Sequence, residues 1–227
     1  MPKLKYYAVR VGRKTGVFTS WKECEEYVLG FDGARYKSFP TFEEADAFVN
    51  GVDSDKEKKD IKECFPTDPE KRLAAYIEKA EKDFSSFDVS SDSAIAYVDG
   101  SFDAKKNEYA YGVVFISSKG IETFCGKNNV PEFVTARNVA GELDGTMFAA
   151  KLAVGRNISS LNIYHDYMGI AAWYNGTWRA STPVSVNYIF RMSEICSGLS
   201  VSFHKVEAHT GIYLNEAADL LAKSALK

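Results

Sequence analysis

Apolar and polar positions change their spacing twice along the chain, and these changes divide it into three parts. Over residues 6–49, short aromatic-rich runs alternate with runs of helical spacing, which predicts a small α/β unit. Residues 53–63 are almost entirely charged, and such a stretch cannot bury enough apolar surface to order itself. From residue 94 onward, strand-length and helix-length apolar patterns follow one another to residue 227. The pattern therefore predicts two folded domains joined by a charged linker.

The first two parts can be divided further from local signals. In the first part, strands are predicted at 6–11 and 34–39, and helices at 20–29 and 41–49. In the second part, Asp68-Pro69 is typical of a helix start with proline at its first position, which predicts a helix at 68–83. We therefore assign residues 1–50 to a first domain, 51–92 to a linker that contains this helix, and 93–227 to a second domain.

The third part has the order of elements expected for an α/β fold. Its strands are predicted at 94–99, 109–117, 121–126, 161–165 and 199–206. Its helices are predicted at about 138–154, 167–174, 185–197 and 214–226. Three consecutive strands followed by alternating helices and strands indicate a mixed five-stranded sheet flanked by helices.

Composition narrows the class of protein. The 227 residues are 45% hydrophobic and 26% charged, which is typical of a globular protein. No apolar stretch reaches the length of about 18 residues that a membrane helix needs, and the start has no apolar signal core, so we expect no membrane partner. The four cysteines are far apart and lack CxxC spacing, which argues against a zinc site or a disulfide framework. Unpaired cysteines of this kind are consistent with a reducing cytoplasm. They are Cys24, Cys64, Cys125 and Cys196.

The net charge of −3 hides a basic end. Residues 1–22 contain six basic side chains and no acidic one, whereas the acids begin at Glu23. A charge-segregated end can form a binding face for an anionic partner, even when the total charge is acidic. It can equally be the solvated surface of a strand, and the charges alone leave both interpretations open.

Four acidic residues stand in surroundings that suit a metal-dependent nuclease. Two end apolar strand-like runs and two lie on helix-like runs, so they can converge at one edge of a sheet. Clustered carboxylates repel one another, and hard divalent cations such as Mg²⁺ or Mn²⁺ relieve that repulsion. The set therefore predicts metal binding and phosphodiester chemistry. Its members are Asp99 in Tyr97-Val98-Asp99-Gly100-Ser101, Glu142 in Arg137-Asn138-Val139-Ala140-Gly141-Glu142, Asp166 in Ile163-Tyr164-His165-Asp166, and Asp219 in Asn215-Glu216-Ala217-Ala218-Asp219.

These motifs resemble those of a known family. Residues 94–227 resemble a type 1 ribonuclease H domain through the four acids, through Asn138 four residues before Glu142, and through His209-Thr210-Gly211 ahead of Asp219. Residues 6–49 resemble the small hybrid-binding domain that some of these enzymes carry at the N-terminus. The matching residues there are Tyr6-Tyr7-Ala8-Val9-Arg10, Gly12-Arg13-Lys14-Thr15-Gly16-Val17-Phe18, Trp21 and Ala34-Arg35-Tyr36-Lys37.

The resemblance implies an endonuclease that hydrolyses the RNA strand of RNA/DNA hybrids and leaves 5′-phosphomonoesters. Two divalent ions about 3.5–4 Å apart can activate the attacking water and neutralise the leaving 3′ oxygen. By resemblance, Asp99 bridges two Mg²⁺ ions, for which Mn²⁺ can substitute, Glu142 and Asp166 complete one site, and Asp219 holds the other. His209 is then a proton carrier or an aid to product release rather than a metal ligand.

The resemblance also implies substrate contacts. At the start of the helix that carries Glu142, Asn138 can contact a ribose 2′-OH and Arg137 a phosphate, although both also suit an ordinary helix start. In the first domain, aromatic side chains can pack on deoxyriboses and cations can hold phosphates, although aromatics in so small a domain are often core. We expect a monomer that binds RNA/DNA hybrid, and double-stranded RNA through its first domain. The residues concerned there are Tyr7, Trp21, Arg35, Tyr36 and Lys37.

Two other functions compete with this interpretation. The chain could bind hybrids while its nuclease-like domain serves only as a scaffold, or it could cut another substrate such as structured DNA. The presence of all four acids with His209 argues against a scaffold, because a scaffold gains nothing from a self-repelling cluster. The resemblance of the first domain to a hybrid-binding domain argues against a different substrate.

Overall fold

The structure is a computed structural model that describes residues 5–31, 33–49, 65–206 and 212–227. The chain divides into two compact units, Met1–Cys64 and Phe65–Lys227. The charged stretch at 53–63 lies outside the described residues. Within the described ranges, no helix is both long and apolar enough to cross a membrane.

In its described residues, the first unit is a three-stranded antiparallel sheet with two helices. Its strands are β1 (Tyr6–Val11), β2 (Gly16–Phe18) and β3 (Arg35–Phe39), in the order β2-β1-β3, and its helices are α1 (Trp21–Val28) and α2 (Phe42–Val49). The core cluster between α1 and the sheet consists of Val9, Phe18, Cys24 and Val28. Both predicted strands and both predicted helices are present. The sequence missed β2, because three residues beside a turn are too few to show the alternation of a strand.

The second unit contains the predicted mixed five-stranded sheet. Its strands are β4 (Ser93–Asp103), β5 (Glu108–Ser117), β6 (Gly120–Asn128), β7 (Ser160–His165) and β8 (Ser200–Lys205). Their order is β6-β5-β4-β7-β8. The first three strands pair antiparallel, whereas β4, β7 and β8 pair parallel. Strand β4 is therefore the centre of the sheet, and Asp99 lies beyond the end of its pairing with β7 at Tyr97↔Tyr164.

Helices cover both faces of this sheet. Among the described residues they are α3 (Pro69–Lys82), α4 (Pro131–Val134), α5 (Asn138–Gly155), α6 (Gly169–Tyr174), α7 (Pro183–Ile195) and α8 (Tyr213–Ala225). On one face lies the larger core, which α5 and α7 share with alternate residues of β4 such as Ala96 and Val98. On the other face, α8 and α3 cover Ile95 and Tyr97. The sequence missed the short α4, whose four residues carry no periodicity.

Helix α3 is the helix predicted at 68–83, but it does not belong to a linker. The second unit begins at Phe65, and the side chains of Tyr76 and Ala80 are buried in the core beneath α8. The part of the predicted linker from residue 65 onward thus packs with the second unit, a docking that the sequence left open. Lysines and glutamates surround a narrow apolar stripe on this helix, and the stripe suffices for docking although the composition resembles that of a solvated helix.

Two glycines let the helices approach the sheet more closely than side chains would allow. A Cβ atom at Gly100 of β4 would lie 2.1 Å from the carbonyl oxygen of Asn138 in α5. A Cβ atom at Gly112 of β5 would lie 2.1 Å from the carbonyl oxygen of Ala218 in α8. Real Cβ atoms do not come this close to backbone atoms, so α5 and α8 are held in backbone contact with the sheet.

We expect Gly112→Ala to destabilise the second unit, because the added methyl group forces α8 away from β5. Overpacking of this kind lowers the free energy of unfolding by about 1–3 kcal/mol. The control is Gly155→Ala at the end of α5, where an added Cβ meets nothing within 4 Å. Urea denaturation followed by near-ultraviolet circular dichroism checks the difference, and equal stability of the two variants would contradict the close approach.

Candidate metal centre

Three of the four predicted acids meet at one edge of the sheet. Asp99 comes from β4, Glu142 from α5 and Asp166 from the residue that follows β7. One carboxylate oxygen from each lies within 4.8 Å of the others. Glu142 is 2% exposed and Asp99 is 9% exposed, whereas Asp166 is half-buried. The cluster is thus open on the side of Asp166 and closed on the side of Glu142.

Strand pairing and the close approach of α5 bring these acids together. The parallel pairing of β4 with β7 places the carboxyl ends of both strands at the same edge, where Asp99 and Asp166 lie. An added Cβ at Gly100 would lie 2.6 Å from the backbone nitrogen of Glu142, so the helix carrying Glu142 rests directly on the strand carrying Asp99. The backbone contacts therefore set the positions of the three acids relative to one another, whatever rotamers their side chains adopt.

Burial and mutual repulsion raise the pKa of the two buried acids. Burial, followed by the charges of Asp166 and Asp219, raises the pKa of Asp99 to about 7, although the Gly100 amide donates a hydrogen bond of 2.7 Å to its Oδ1. Burial, followed by the charges of Asp166 and Asp99, raises the pKa of Glu142 to about 9. Without a cation, part of the cluster therefore holds protons at neutral pH.

The donor set fits a hard divalent cation. It consists of carboxylate oxygens, which Mg²⁺ and Mn²⁺ prefer. Oε2 of Glu142 is buried and has no hydrogen-bond partner among the described residues. Oε1 of the same side chain accepts a long bond of 3.5 Å from Nδ2 of Asn138. A cation would satisfy the buried oxygen and remove the repulsion at the same time.

Asp219, the fourth acid, lies beside this group but is paired differently. It projects from α8, and its charge raises the pKa of Asp99, so it lies within electrostatic reach of the cluster. Its Oδ2 is 2.6 Å from Nζ of Lys223, one helical turn further along. Sequence reasoning missed Lys223, although the four-residue spacing on a helix is a signal for such a pair.

The two predicted substrate contacts lie at the start of α5. Asn138 and Arg137 are both exposed, and Asn138 lies one turn before Glu142. Arg137 has φ 53 and ψ −129, a backbone conformation that strains a residue with a side chain. Strain of this kind is concentrated at functional sites. The geometry leaves both side chains accessible beside the acids, and their substrate contacts stay a prediction.

The histidines divide into two groups. His209 lies outside the described residues, as does the whole of 207–211. His165 is buried, its Nδ1 is 3.0 Å from the carbonyl oxygen of Tyr167, and burial lowers its pKa. His204 has Nε2 2.9 Å from Oδ1 of Asn162. His165 and His204 therefore have structural partners within the second unit.

Sequence reasoning missed a group of aromatic rings beside the acids. Tyr167 follows Asp166 directly, and its ring centre is 5.8 Å from that of Trp173 and 6.5 Å from that of Trp178. The two tryptophan rings are 6.1 Å apart, and Trp178 is exposed. The position of Tyr167 next to Asp166 was a usable signal, whereas the contact among the three rings is tertiary and has no signature in the sequence.

The first unit presents its own aromatic surface. The ring centre of Trp21 is 5.6 Å from that of Tyr7 and 5.7 Å from that of Tyr36. Trp21 is 38% exposed and Tyr36 is 45% exposed, so these rings are not simply core. Arg35 and Lys37 flank Tyr36 in β3 and are exposed as well. The structure thus brings the predicted aromatics together, and their contact with a nucleic acid stays a prediction.

Comparisons with known proteins connect both units to one family. A family model described as "Ribonuclease H1 N-terminal domain" matches residues 5–49, and one described as "RNase H" matches residues 90–227. The chain is 30% identical to ribonuclease H1 of Mus musculus, covering 98% of this chain and 89% of the relative. It is 26% identical to ribonuclease H of Schizosaccharomyces pombe, covering 97% of both.

Among solved structures, RNase H1 from the halophilic archaeon Halobacterium salinarum NRC-1 is similar to part of the chain. The two are 26% identical, with a TM-score of 0.48. The alignment covers 59% of this chain and 97% of the archaeal chain.

Without divalent cations, the protein is expected to lose stability as the pH rises. In the folded protein the pKa of Asp99 is about 7 and that of Glu142 about 9, whereas carboxyl groups in an unfolded chain titrate near pH ~4. The folded state therefore binds more protons across this window, so the contribution of both groups to stability is complete below about pH 4 and is lost toward pH 9.

Thermal unfolding in EDTA at several pH values checks this dependence. Glu142→Gln should flatten the decline, because an amide does not titrate, and a saturating concentration of Mg²⁺ should weaken it. A metal-free wild-type protein that is equally stable at both ends of the window would contradict the electrostatics of the cluster.

Proposed function

The chain belongs to the ribonuclease H family, and we propose that it is an endonuclease that cuts the RNA strand of RNA/DNA hybrids and leaves 5′-phosphomonoesters. One observation carries the proposal: Asp99, Glu142 and Asp166 converge at one edge of the sheet, in the segment that matches the family. A domain that served only as a scaffold would gain nothing from burying acids that repel one another.

The family depends on divalent metal, and we propose that two Mg²⁺ ions, which Mn²⁺ can replace, are the cofactor here. Asp99, Glu142 and Asp166 would hold one ion, and Asp99 with Asp219 would hold the other. When bound, such ions activate a water and neutralise the leaving 3′ oxygen of a phosphodiester. The protein supplies the geometry of the site. Asp99 and Glu142 would have to release their protons in order to act as ligands.

Residues beside the acids would position the RNA strand. The Asn138 amide at the start of α5 would hydrogen bond a ribose 2′-OH, which is the group that distinguishes RNA from DNA. The neighbouring Arg137 is exposed and would hold a phosphate. His209, which precedes α8 in the sequence, would transfer protons or assist product release. These roles support a cut that depends on the sugar and depends little on base sequence.

We propose that the first unit binds the hybrid and keeps the nuclease on it. Its aromatic surface of Tyr7, Trp21 and Tyr36 offers faces for sugars and bases, and Arg35 and Lys37 offer charge for phosphates. A tether between the two units raises the local concentration of the nuclease on a bound hybrid. The same surface would accept double-stranded RNA, which has a similar backbone shape.

Two further proposals concern the state of the protein. We propose that it acts as a monomer, since each acid of the proposed site comes from the same chain. We propose a reducing cytoplasmic location, which is supported by three free cysteines among the described residues, Cys24, Cys125 and Cys196.

Cleavage assays on four substrates test the activity. We expect cutting with Mg²⁺ only of the RNA strand in an RNA/DNA hybrid, and not of double-stranded RNA, single-stranded RNA or double-stranded DNA. Asp99→Asn should abolish cutting but preserve hybrid binding, because it removes one charged ligand and leaves the first unit intact. The matched control is Asp103→Asn, four residues further along β4, which should keep its activity. A fully active Asp99→Asn protein would refute the metal assignment.

Fluorescence anisotropy on a long hybrid tests the role of the first unit. We expect Trp21→Ala to weaken binding by about tenfold, since stacking on an aromatic ring contributes about 1–3 kcal/mol. The rate of a single cut at saturating enzyme should not change. Phe31→Ala removes an equally exposed aromatic outside the ring cluster and should bind as the wild type does. Equal affinity of both variants would exclude the aromatic surface as the binding site.

A further inference from the structure

Helix α3 lies outside both family matches but is packed into the second unit. The matched segments are 5–49 and 90–227, whereas α3 spans Pro69–Lys82. Its Tyr76 is 2% exposed, although half of the residues on this helix are charged. A long side chain that is buried so completely on a largely polar helix indicates a specific docking contact rather than incidental coverage.

Three polar contacts join α3 and the residue that follows it to the first turn of α8. The Tyr76 hydroxyl donates a hydrogen bond of 2.9 Å to Oε2 of Glu216. The Tyr213 hydroxyl donates a bond of 3.4 Å to Oδ2 of Asp83, which directly follows α3. Nζ of Lys79 lies 5.0 Å from the centre of the Tyr213 ring. Polar contacts of defined direction thus fix where α8 begins.

The same part of α8 carries Asp219. Glu216 precedes Asp219 by three residues, so the contact with Tyr76 lies within one helical turn of the acid. On the side facing the sheet, the Ala218 carbonyl is held against Gly112. The turn that presents Asp219 is therefore clamped between β5 and α3.

Of the four acids, Asp219 is the one whose distance from the others depends most on the position of α8. The other three acids meet within 4.8 Å, whereas Asp219 is held by Lys223 beside them. A small rotation or shift of α8 would change its distance from Asp99 without disturbing the other three. An element that fixes this helix therefore affects the part of the metal centre that Asp219 completes.

We propose that α3 is a positioning element of the metal centre, in which Tyr76 fixes α8 so that Asp219 faces Asp99. The inference rests on the proposed role of Asp219 as a metal ligand. It makes Tyr76 a positioning residue, since it acts through Glu216 and α8 and does not touch the reacting atoms. A catalytic domain defined by the family match alone would lack this element.

Tyr76→Phe in the full chain tests the proposal, because it removes the hydroxyl and keeps the ring. The matched control is Tyr188→Phe, which removes another hydroxyl of a buried tyrosine in the same unit, one that donates 3.2 Å to the carbonyl of Ile170. Both variants lose one buried hydrogen bond, so both should lose some thermal stability. A purely structural role of Tyr76 would give the two variants the same metal binding.

The decisive readout is Mn²⁺ binding to the substrate-free protein by titration calorimetry, together with the Mg²⁺ concentration that gives half-maximal cleavage. We expect Tyr76→Phe to weaken Mn²⁺ binding and raise the Mg²⁺ requirement by about threefold to tenfold, with an unchanged KM for hybrid. Tyr188→Phe should leave both unchanged. Equal metal binding in Tyr76→Phe and Tyr188→Phe would overturn the proposal.

A second variant and the activity of the wild-type protein separate the role of α3 from a folding defect and from the proposed function. If Tyr76→Phe does not fold, Tyr213→Phe removes the hydrogen bond to Asp83 instead. Its Mn²⁺ binding and Mg²⁺ requirement are then compared with those of Tyr188→Phe, and equal values would overturn the proposal. If the wild-type protein itself fails to cut hybrids with Mg²⁺, the proposed function is wrong. If the wild type cuts and Tyr76→Phe binds Mn²⁺ as tightly as wild type does, only the role of α3 is wrong.

Discussion

Repulsion among buried carboxylates is the main constraint on the second unit, because the fold has to hold these acids close together against it. Asp99 and Glu142 are nearly buried and lie beside Asp166, and burial and repulsion raise the pKa of both buried acids. Buried acids of this kind do not stabilise the fold, since apolar residues of similar size at these positions would give a more stable protein. The fold tolerates them because backbone contacts hold the acids in place, and because a divalent cation removes the repulsion when it binds.

Backbone proximity makes this arrangement possible. The four acids lie on or directly after four different elements, so the distances between them depend on how closely two helices approach the sheet. Glycines at the two contact points, Gly100 and Gly112, allow α5 and α8 to touch β4 and β5 directly. Helix α3 then holds the outer side of α8 through Tyr76. The positions of the acids thus depend on a few close contacts, in which α5 and α8 touch the sheet at two glycines and α3 touches α8.

Much of this could be predicted from the sequence, and the rest depends on tertiary contacts. The five strands of the second unit follow from apolar periodicity, and the acids follow from their motifs at strand ends and helix starts. The docking of α3 did not follow, because its charged residues conceal the stripe that carries Tyr76. Strand β2 was too short to show a period. The contacts among the rings of Tyr167, Trp173 and Trp178 depend on side-chain placement that no local pattern records. The pair Asp219–Lys223 did have a local signal, its four-residue spacing on a helix, which the sequence interpretation did not use.

The most direct test of the central claim is anomalous diffraction from a crystal of the protein grown with Mn²⁺ and an RNA/DNA hybrid. The expected result is one anomalous peak among the carboxylates of Asp99, Glu142 and Asp166, and a second between Asp99 and Asp219. The absence of any peak at these carboxylates, at a Mn²⁺ concentration that supports cleavage in solution, would contradict the assignment of the cluster as the metal centre.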